Sequence, residues 1–431
     1  MNVGVIGAGA AGVAAARQLL DAGLEVELLE KEAEPFGVWN YGRPQGRVYQ
    51  STHTISSKPL TQFPDFPMPE DWPDYPHHSQ ILRYPRDYAE RFRVVDRIRL
   101  GVRVAQVTPA DAHRPDTGWV VETGDGERLH YQALVLANGH NHEPRCPRWP
   151  GILDGRLLHS ARYRTPDILV DRNVLVVGAG NSGCDIAVES AHVARSTLLS
   201  MRRGYHYVPK YLLGRPADQV NEVALKLRLP LSARRRIAGL ALRLGSGTPA
   251  RVGLPAPDHA LFESHPIVNS LLPYYIHHQR IRPVPDVARL EGDRVRFADG
   301  TAAPVDVLVM ATGYRLTFPF IHRSLLNWRD GRPHLHLHVF HPALDTLFVA
   351  GMFQTDSGVF GILHWQARCI ARFLVTLRDR TRGADRLRRA KRCPDAGLDS
   401  GIDYRTSARH LLEVEHSSYL RRLRRLASVL D

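Results

Sequence analysis

Two glycine-rich turns, Gly7-Ala-Gly-Ala-Ala-Gly12 and Gly178-Ala-Gly-Asn-Ser-Gly183, constrain this 431-residue chain more than any other feature. Each follows a short apolar run and opens a helical pattern. Glycines at that spacing permit a tight strand-to-helix turn and let backbone amides approach a pyrophosphate at the helix N-terminus. One such turn points to one nucleotide; two in one chain point to two dinucleotides that meet. The residues ending the strand after each turn differ in charge. Glu30 closes the strand after the first turn, where an acid accepts hydrogen bonds from ribose hydroxyls and repels a 2′-phosphate. The strand after the second turn runs into Arg202-Arg203, whose guanidinium groups suit a 2′-phosphate. The pair reads as a flavin dinucleotide at the first turn and NADPH at the second, as a flavoprotein oxidoreductase would hold them.

Strand and helix signals alternate, which predicts an α/β fold of parallel sheets covered by helices. The expected architecture is two Rossmann-like dinucleotide-binding domains, with the NADPH domain inserted in the FAD domain. Strands are expected at 2–6, 25–30, 133–137, 173–177, 196–201, 305–310 and 347–350, and helices at 10–21, 83–100, 184–194, 360–378 and 419–430. The Pro- and aromatic-rich stretch 35–85 reads as an ordered loop region. A basic helical region at 221–245 is interrupted by Pro230. The FAD domain is expected to comprise 1–163 and 306–431, and the NADPH domain 164–305. Residues after about 306 would return to the first sheet, with crossings near 140–165 and 300–315.

The formal charge is +13, with 22 histidines besides. That excess suits an anionic ligand or reflects arginine-rich helices. No basic motif with interleaved aromatics accompanies it, so nucleic acid is not an expected partner. No transmembrane segment is expected, because no run of 18 apolar residues occurs. Residues 1–20 lack the basic stretch that opens a signal peptide. Cys146, Cys184, Cys369 and Cys393 are widely scattered and form no C-x-x-C pair. A disulfide framework, a metal site and a dithiol centre are therefore unsupported, and a reducing, cytoplasmic setting is expected.

Between the turns lies Leu153-Asp-Gly155-Arg-Leu-Leu-His159-Ser-Ala-Arg-Tyr163-Arg164. It resembles F-x-G-x-x-x-H-x-x-x-(Y/F)-(K/R), the identifying motif of the single-component, FAD- and NADPH-dependent flavin-containing monooxygenases (class B), departing only in Leu153. Gly37-Val-Trp39, Phe63 to Trp72, Ala311-Thr-Gly-Tyr314, Gly351 to Gly358 and Gln366-Ala-Arg368 resemble further segments of that family in the same order. The likeness runs from residue 1 to about 375. Related Baeyer–Villiger enzymes have Trp-Pro where this chain has Tyr163-Arg164, which favours the branch that oxidises heteroatoms.

The resemblance implies an NADPH-dependent flavin monooxygenase, similar to N,N-dimethylaniline monooxygenase. It would use O2 to oxygenate a nitrogen- or sulfur-containing small molecule through a flavin C4a-hydroperoxide. Ketone oxidation of the Baeyer–Villiger kind, or an NADPH-dependent reductase or oxidase, are the alternatives. A homodimer is compatible with this reading. FAD contacts are expected at Gly7, Gly9, Gly12, Glu30, Lys31, Gly37, Val38, Trp39, Gln354 and Gln366. NADPH contacts are expected at Gly178, Gly180, Asn181, Ser182, Gly183, Arg202, Arg203, Ala311, Thr312 and Gly313. No acid–base catalyst stands out, because the chemistry belongs to the flavin.

One departure concerns Ile55. The family carries Asn there, three residues before Lys58, where the resemblance gives it a polar contact near the flavin edge. Isoleucine makes no such contact, so His53, Thr54 or Ser56 would substitute, or oxygen handling would differ. His159 reads as a structural residue of the crossing. His334, His336 and His338 alternate as on a packed or solvated strand, and Cys184 reads as a buried helix residue. Lys226, Arg228, Arg234, Arg235, Arg236 and Arg243 read as the solvated face of an amphipathic helix.

Overall fold

The computed structural model describes all residues except 213, 228, 247–250, 252, 393–397, 400, 406–409 and 431, so Arg228 and Cys393 lie outside the described residues. The first sheet is parallel, in the order Leu347–Val349, Ala133–Leu136, Asn2–Ile6, Glu25–Leu29, Ile98–Arg99. Its central strand buries Val3 and Val5 fully, as a strand covered on both faces requires. On one face, helix Ala10–Asp21 packs against helix Phe360–Arg378, which in turn carries helix His416–Leu430. On the other face, Val107, Trp119 and Val121 of an antiparallel three-stranded sheet meet Ile6, Leu29, Leu134 and Leu136.

The second sheet repeats this plan. Its parallel order is Arg156–His159, Val307–Met310, Asn173–Val177, Ser196–Ser200, Arg282–Val284. Helix Asn181–Val193 packs on one face beside helix Leu271–His277. A four-stranded sheet that includes Val287–Gly292 and Arg294–Phe297 covers the other, meeting Leu175, Val177, Leu198 and Leu308. Two Rossmann-like units are thus built by the same layering, the second inserted in the first.

The return to the first sheet comes later than the sequence suggests. Val307–Met310 pairs inside the second sheet, between Arg156–His159 and Asn173–Val177. The strand that rejoins the first sheet is Leu347–Val349. An apolar strand buried on both faces reads the same whichever parallel sheet receives it.

Three local expectations also change. The helix expected over 83–100 is His78–Arg91, capped by His77, whose backbone N–H donates to Gln80 Oε1 at 2.9 Å. The chain then turns at Arg93, whose φ is 55°, and Ile98–Arg99 joins the sheet edge. The 334–338 segment is a tight turn rather than a strand. His336 and Phe340 exchange backbone hydrogen bonds at 2.8 and 2.9 Å, and Leu337 and His338 take left-handed φ values. The basic region does split at Pro230, into Ala217–Lys226 and Leu231–Ser246. Its arginines are not all solvated, however. Arg234 is buried, donates to Asn221 and stacks over Phe262, and Arg235 pairs with Glu263. Lys226, Arg236 and Arg243 are exposed as expected, and so are Ile237 and Leu240.

Candidate functional site

Gly7 stands at φ 102° and donates its N–H to Leu29 O at 2.8 Å. A Cβ on Gly12 would lie 1.9 Å from Gly7 O, so the helix can start here only on glycine. A Cβ on Gly9 would meet nothing within 4 Å. That open space over the N-terminus of Ala10–Asp21 is where a pyrophosphate fits. Gly37 packs against Gly9, bringing the short Gly37–Trp39 helix to the same turn, and Phe36 N–H donates to Ala8 O at 2.8 Å. The buried Glu30 carboxylate accepts the Ala8 N–H at 2.9 Å and the Glu32 N–H at 3.1 Å. Burial holds this carboxyl above its usual range, opposed by those two amides. Each oxygen keeps a lone pair for a ribose hydroxyl. Lys31 is exposed and pairs with Glu32 at 3.4 Å.

The other two residues expected at the flavin have structural roles. Gln354 is half-buried; its N–H donates to Leu412 O at 2.7 Å and its strand pairs with Glu413–Val414. Gln366 is fully buried. Its Oε1 accepts Gly351 N–H at 2.9 Å and its Nε2 donates to Tyr419 Oη at 2.6 Å.

The second turn reproduces the first. Gly178 stands at φ 106°, and a Cβ on Gly183 would lie 1.8 Å from Gly178 O. Gly180 caps helix Asn181–Val193, and Ser182 is exposed on its first turn. The Asn181 side chain ties the turn to the neighbouring segment, donating to Pro266 O at 3.1 Å and accepting Val268 N–H at 2.9 Å. Arg202 is exposed and Arg203 half-buried, and neither has a carboxylate partner among the described residues. Their guanidinium groups remain available to an anion.

The two crossings run side by side. Tyr314–Arg315 pairs antiparallel with Glu143–Pro144, Arg145 N–H donates to Gly313 O at 2.9 Å, and the Thr312 hydroxyl donates to Arg145 O. Ala311 lies against Gly178 as Ala137 lies against Gly7. Ala137-Asn-Gly139 therefore occupies in the first unit the place of Ala311-Thr-Gly313 in the second. Only the latter is among the expected contact residues, although the strand break at Asn138-Gly139 is a signal for the former.

The motif between the turns braces this hinge. His159 Nε2 donates to Gly313 O at 3.1 Å, and Nδ1 accepts Ala161 N–H at 3.0 Å. Burial lowers its pKa, so the ring is held neutral. Tyr163, fully buried, donates to Glu189, and Arg164 donates to the carbonyls of Ala161 and Tyr163, each at 2.9 Å, and of Gly46 at 3.1 Å. His159 and Arg164 thus hold backbone, and Tyr163 holds a side chain of helix Asn181–Val193. The buried Cys184 thiol likewise contacts Ala179 O at 3.6 Å.

Ile55 borders a cavity of about 110 Å³ shared with Tyr205, Phe262, Asp218, Asp356 and Glu413. Among the three suggested substitutes for the missing Asn, His53 is engaged with Ser51 O and Ser56 with Thr61. The Thr54 hydroxyl is buried without a hydrogen-bond partner among the described residues. Lys58 donates to the carbonyls of Pro69, Glu70 and Trp72, clamping the Pro-rich loop. Sequence reading missed the acidic lining of the cavity, because Asp218, Asp356 and Glu413 come from three distant segments.

Comparison with known proteins bears on this arrangement. The family described as flavin-binding monooxygenase-like matches residues 1–385. Flavin-containing monooxygenase 1 of Sus scrofa is 32% identical over 391 residues, covering 86% of this chain and 73% of that protein. Dimethylaniline monooxygenase (N-oxide-forming) 2 of Oryctolagus cuniculus is 31% identical over 389 residues, covering 86% and 72%. Among solved structures, S-allyl-L-cysteine S-oxygenase from Allium sativum shares the fold with a TM-score of 0.67 and 22% identity, covering 99% of this chain and 88% of that one. Cyclohexanone monooxygenase from Rhodococcus sp. Phi1, bound to NADP+, does so with a TM-score of 0.71 and 18% identity, covering 100% and 97%.

Proposed function

This chain belongs to the flavin-binding monooxygenase-like family, and we propose that it transfers one oxygen atom of O2 to the nitrogen or sulfur of a small molecule, with FAD bound and NADPH as reductant. Overall, substrate, O2, NADPH and a proton give the oxygenated substrate, water and NADP+. The observation that carries this reading is the meeting of two glycine turns, one ending in Glu30 and the other in Arg202-Arg203, at one braced pair of crossings.

The residues fit both dinucleotides. Amides over Gly9 and the start of Ala10–Asp21 would cradle the flavin pyrophosphate, with Glu30 on its ribose. The start of Asn181–Val193 would take the NADPH pyrophosphate, and Arg202 and Arg203 its 2′-phosphate. Bound flavin would supply the redox chemistry between NADPH and dioxygen. The protein's own part is alignment and shelter. His159 holds Gly313, and with it the crossing beside Gly178, and Lys58 ties the segment that carries Ile55 to the Pro69–Trp72 loop. Lys31, Gly37, Val38, Trp39, Gln354 and Gln366 complete the proposed flavin environment, Gln366 by holding Gly351. Ala311, Thr312 and Gly313 complete that of NADPH.

No helix among the described residues is long and apolar enough to cross a membrane. A cytoplasmic location and a homodimer are part of the proposal; sedimentation of the purified protein tests the latter. The functional test is anaerobic reduction with NADPH followed by oxygen, in the presence of an amine, a sulfide and a cyclic ketone. Oxygenated amine or sulfide is expected. Ketone oxidation alone would move the assignment to the Baeyer–Villiger branch, and a protein that retains no flavin would refute it.

A further inference from the structure

We infer that the cavity beside Ile55 receives an organic cation, a small molecule bearing an ammonium group, and that the Glu413 carboxylate is its counter-charge. The inference rests on reading that cavity as the substrate chamber of the monooxygenase proposed above.

Glu413 is held by the pairing of its strand with Gln354–Thr355. Its side chain is 1% exposed and borders the cavity. Neither carboxylate oxygen has a hydrogen-bond partner among the described residues. The nearest basic group is His265, whose Nδ1 lies 3.6 Å from Oε1, beyond hydrogen-bond reach. His265 stands at ion-pair distance only, and a buried carboxylate without hydrogen bonds is costly unless a charge meets it.

The other acids on the wall are spoken for. Asp356 accepts His416 N–H at 3.0 Å, and Asp218 accepts Ser57 N–H at 2.6 Å. Burial raises the pKa of both. No lysine or arginine lines the cavity among the described residues. Tyr205 and Tyr404 supply aromatic surface of the kind that favours ammonium groups. Glu413 lies beyond residue 385, where the family match ends, so family membership does not supply this determinant. A protonated or quaternary nitrogen has no lone pair with which to accept oxygen. The cation held at Glu413 and the atom oxygenated are therefore different atoms of the substrate.

The probe is choline, set against its uncharged isostere 3,3-dimethyl-1-butanol, titrated calorimetrically into the full-length FAD-loaded protein. Choline should bind about tenfold or more tightly than the isostere. Glu413→Gln should erase that preference, and Glu413→Asp should retain part of it. Equal binding of the two probes by the wild-type protein overturns the inference, even if Glu413→Gln fails to fold. So does a preference that survives Glu413→Gln. Failure of NADPH to reduce the flavin would count against the monooxygenase reading instead. A protein that is reduced and reoxidised normally but ignores the charge on choline refutes only the cation.

Discussion

His159 and Gly313 are joined across 3.1 Å by a hydrogen bond from Nε2 to the carbonyl oxygen, while Nδ1 takes the Ala161 amide. One neutral ring thus ties the end of the strand Arg156–His159 to the crossing that follows Val307–Met310. Removing it leaves the buried Ala161 amide unpaired and leaves Gly313 O with the Arg145 N–H. His159→Ala should lower stability by about 1–3 kcal/mol, read from urea unfolding followed by far-UV circular dichroism. A variant as stable as the wild type would show that the hinge does not depend on this side chain.

The two glycines of the first turn separate folding from binding. A Cβ at Gly12 collides with Gly7 O, whereas one at Gly9 meets open space. Gly12→Ala should destabilise the protein by about 3 kcal/mol or more. Gly9→Ala should change the stability of the apoprotein by less than about 0.5 kcal/mol, yet reduce flavin retained on purification by about tenfold, because the methyl group occupies the pyrophosphate space. Normal flavin content in Gly9→Ala would place the cofactor elsewhere.

In the proposed function, Arg202 and Arg203 set the choice of nicotinamide. Replacing both with Gln should raise KM for NADPH by about 10–100-fold, the worth of charge-assisted contacts to the 2′-phosphate, and leave KM for NADH unchanged. Stopped-flow reduction with each nucleotide measures this. A parallel loss for both nucleotides would mean that the pair stabilises the fold rather than reading the phosphate.

His341 gives the protein an acid-sensitive point. Its Nδ1 accepts the amides of Ala343 at 3.1 Å and Leu344 at 2.8 Å, so it must be unprotonated there. Burial, helped by Lys391 nearby, brings its pKa down to about 4. The unfolded chain, with a value near 6.5, takes up its proton first. The contribution is therefore complete above about pH 6.5 and is lost as pH falls toward 4, a change on the order of 3 kcal/mol. Subtracting the stability profile of His341→Gln from that of the wild type isolates this residue from other titrating groups. Equal slopes between pH 6.5 and 4 would refute the assignment.

Both turns, their order, the charge difference between Glu30 and Arg202-Arg203, and several element bounds were legible in the residues. Asn2–Ile6, Ala10–Asp21, Asn173–Val177 and Phe360–Arg378 fall where the pattern puts them. Such features are local: a glycine needed for close approach or an apolar strand followed by a helix is written in consecutive residues. The role of His159 as a structural tie was legible too, because its motif sits at a crossing.

What local pattern cannot carry is partner choice. Val307–Met310 is apolar in either sheet, and only the pairing with Arg156–His159 and Asn173–Val177 assigns it to the second. Arg234 sits in a basic stretch like its neighbours, yet packing buries it over Phe262. Alternation at 334–338 mimics a strand until left-handed φ values close a turn. The acidic wall of the cavity beside Ile55 is the clearest case. Asp218, Asp356 and Glu413 are unremarkable in sequence, and become a charged site only when three distant segments fold around one space. The sequence by itself determined that two dinucleotides meet, because each turn is a local backbone requirement. Only the tertiary structure decided what the cavity beside Ile55 presents, because burial and the loss of hydrogen-bond partners arise between segments, not within them.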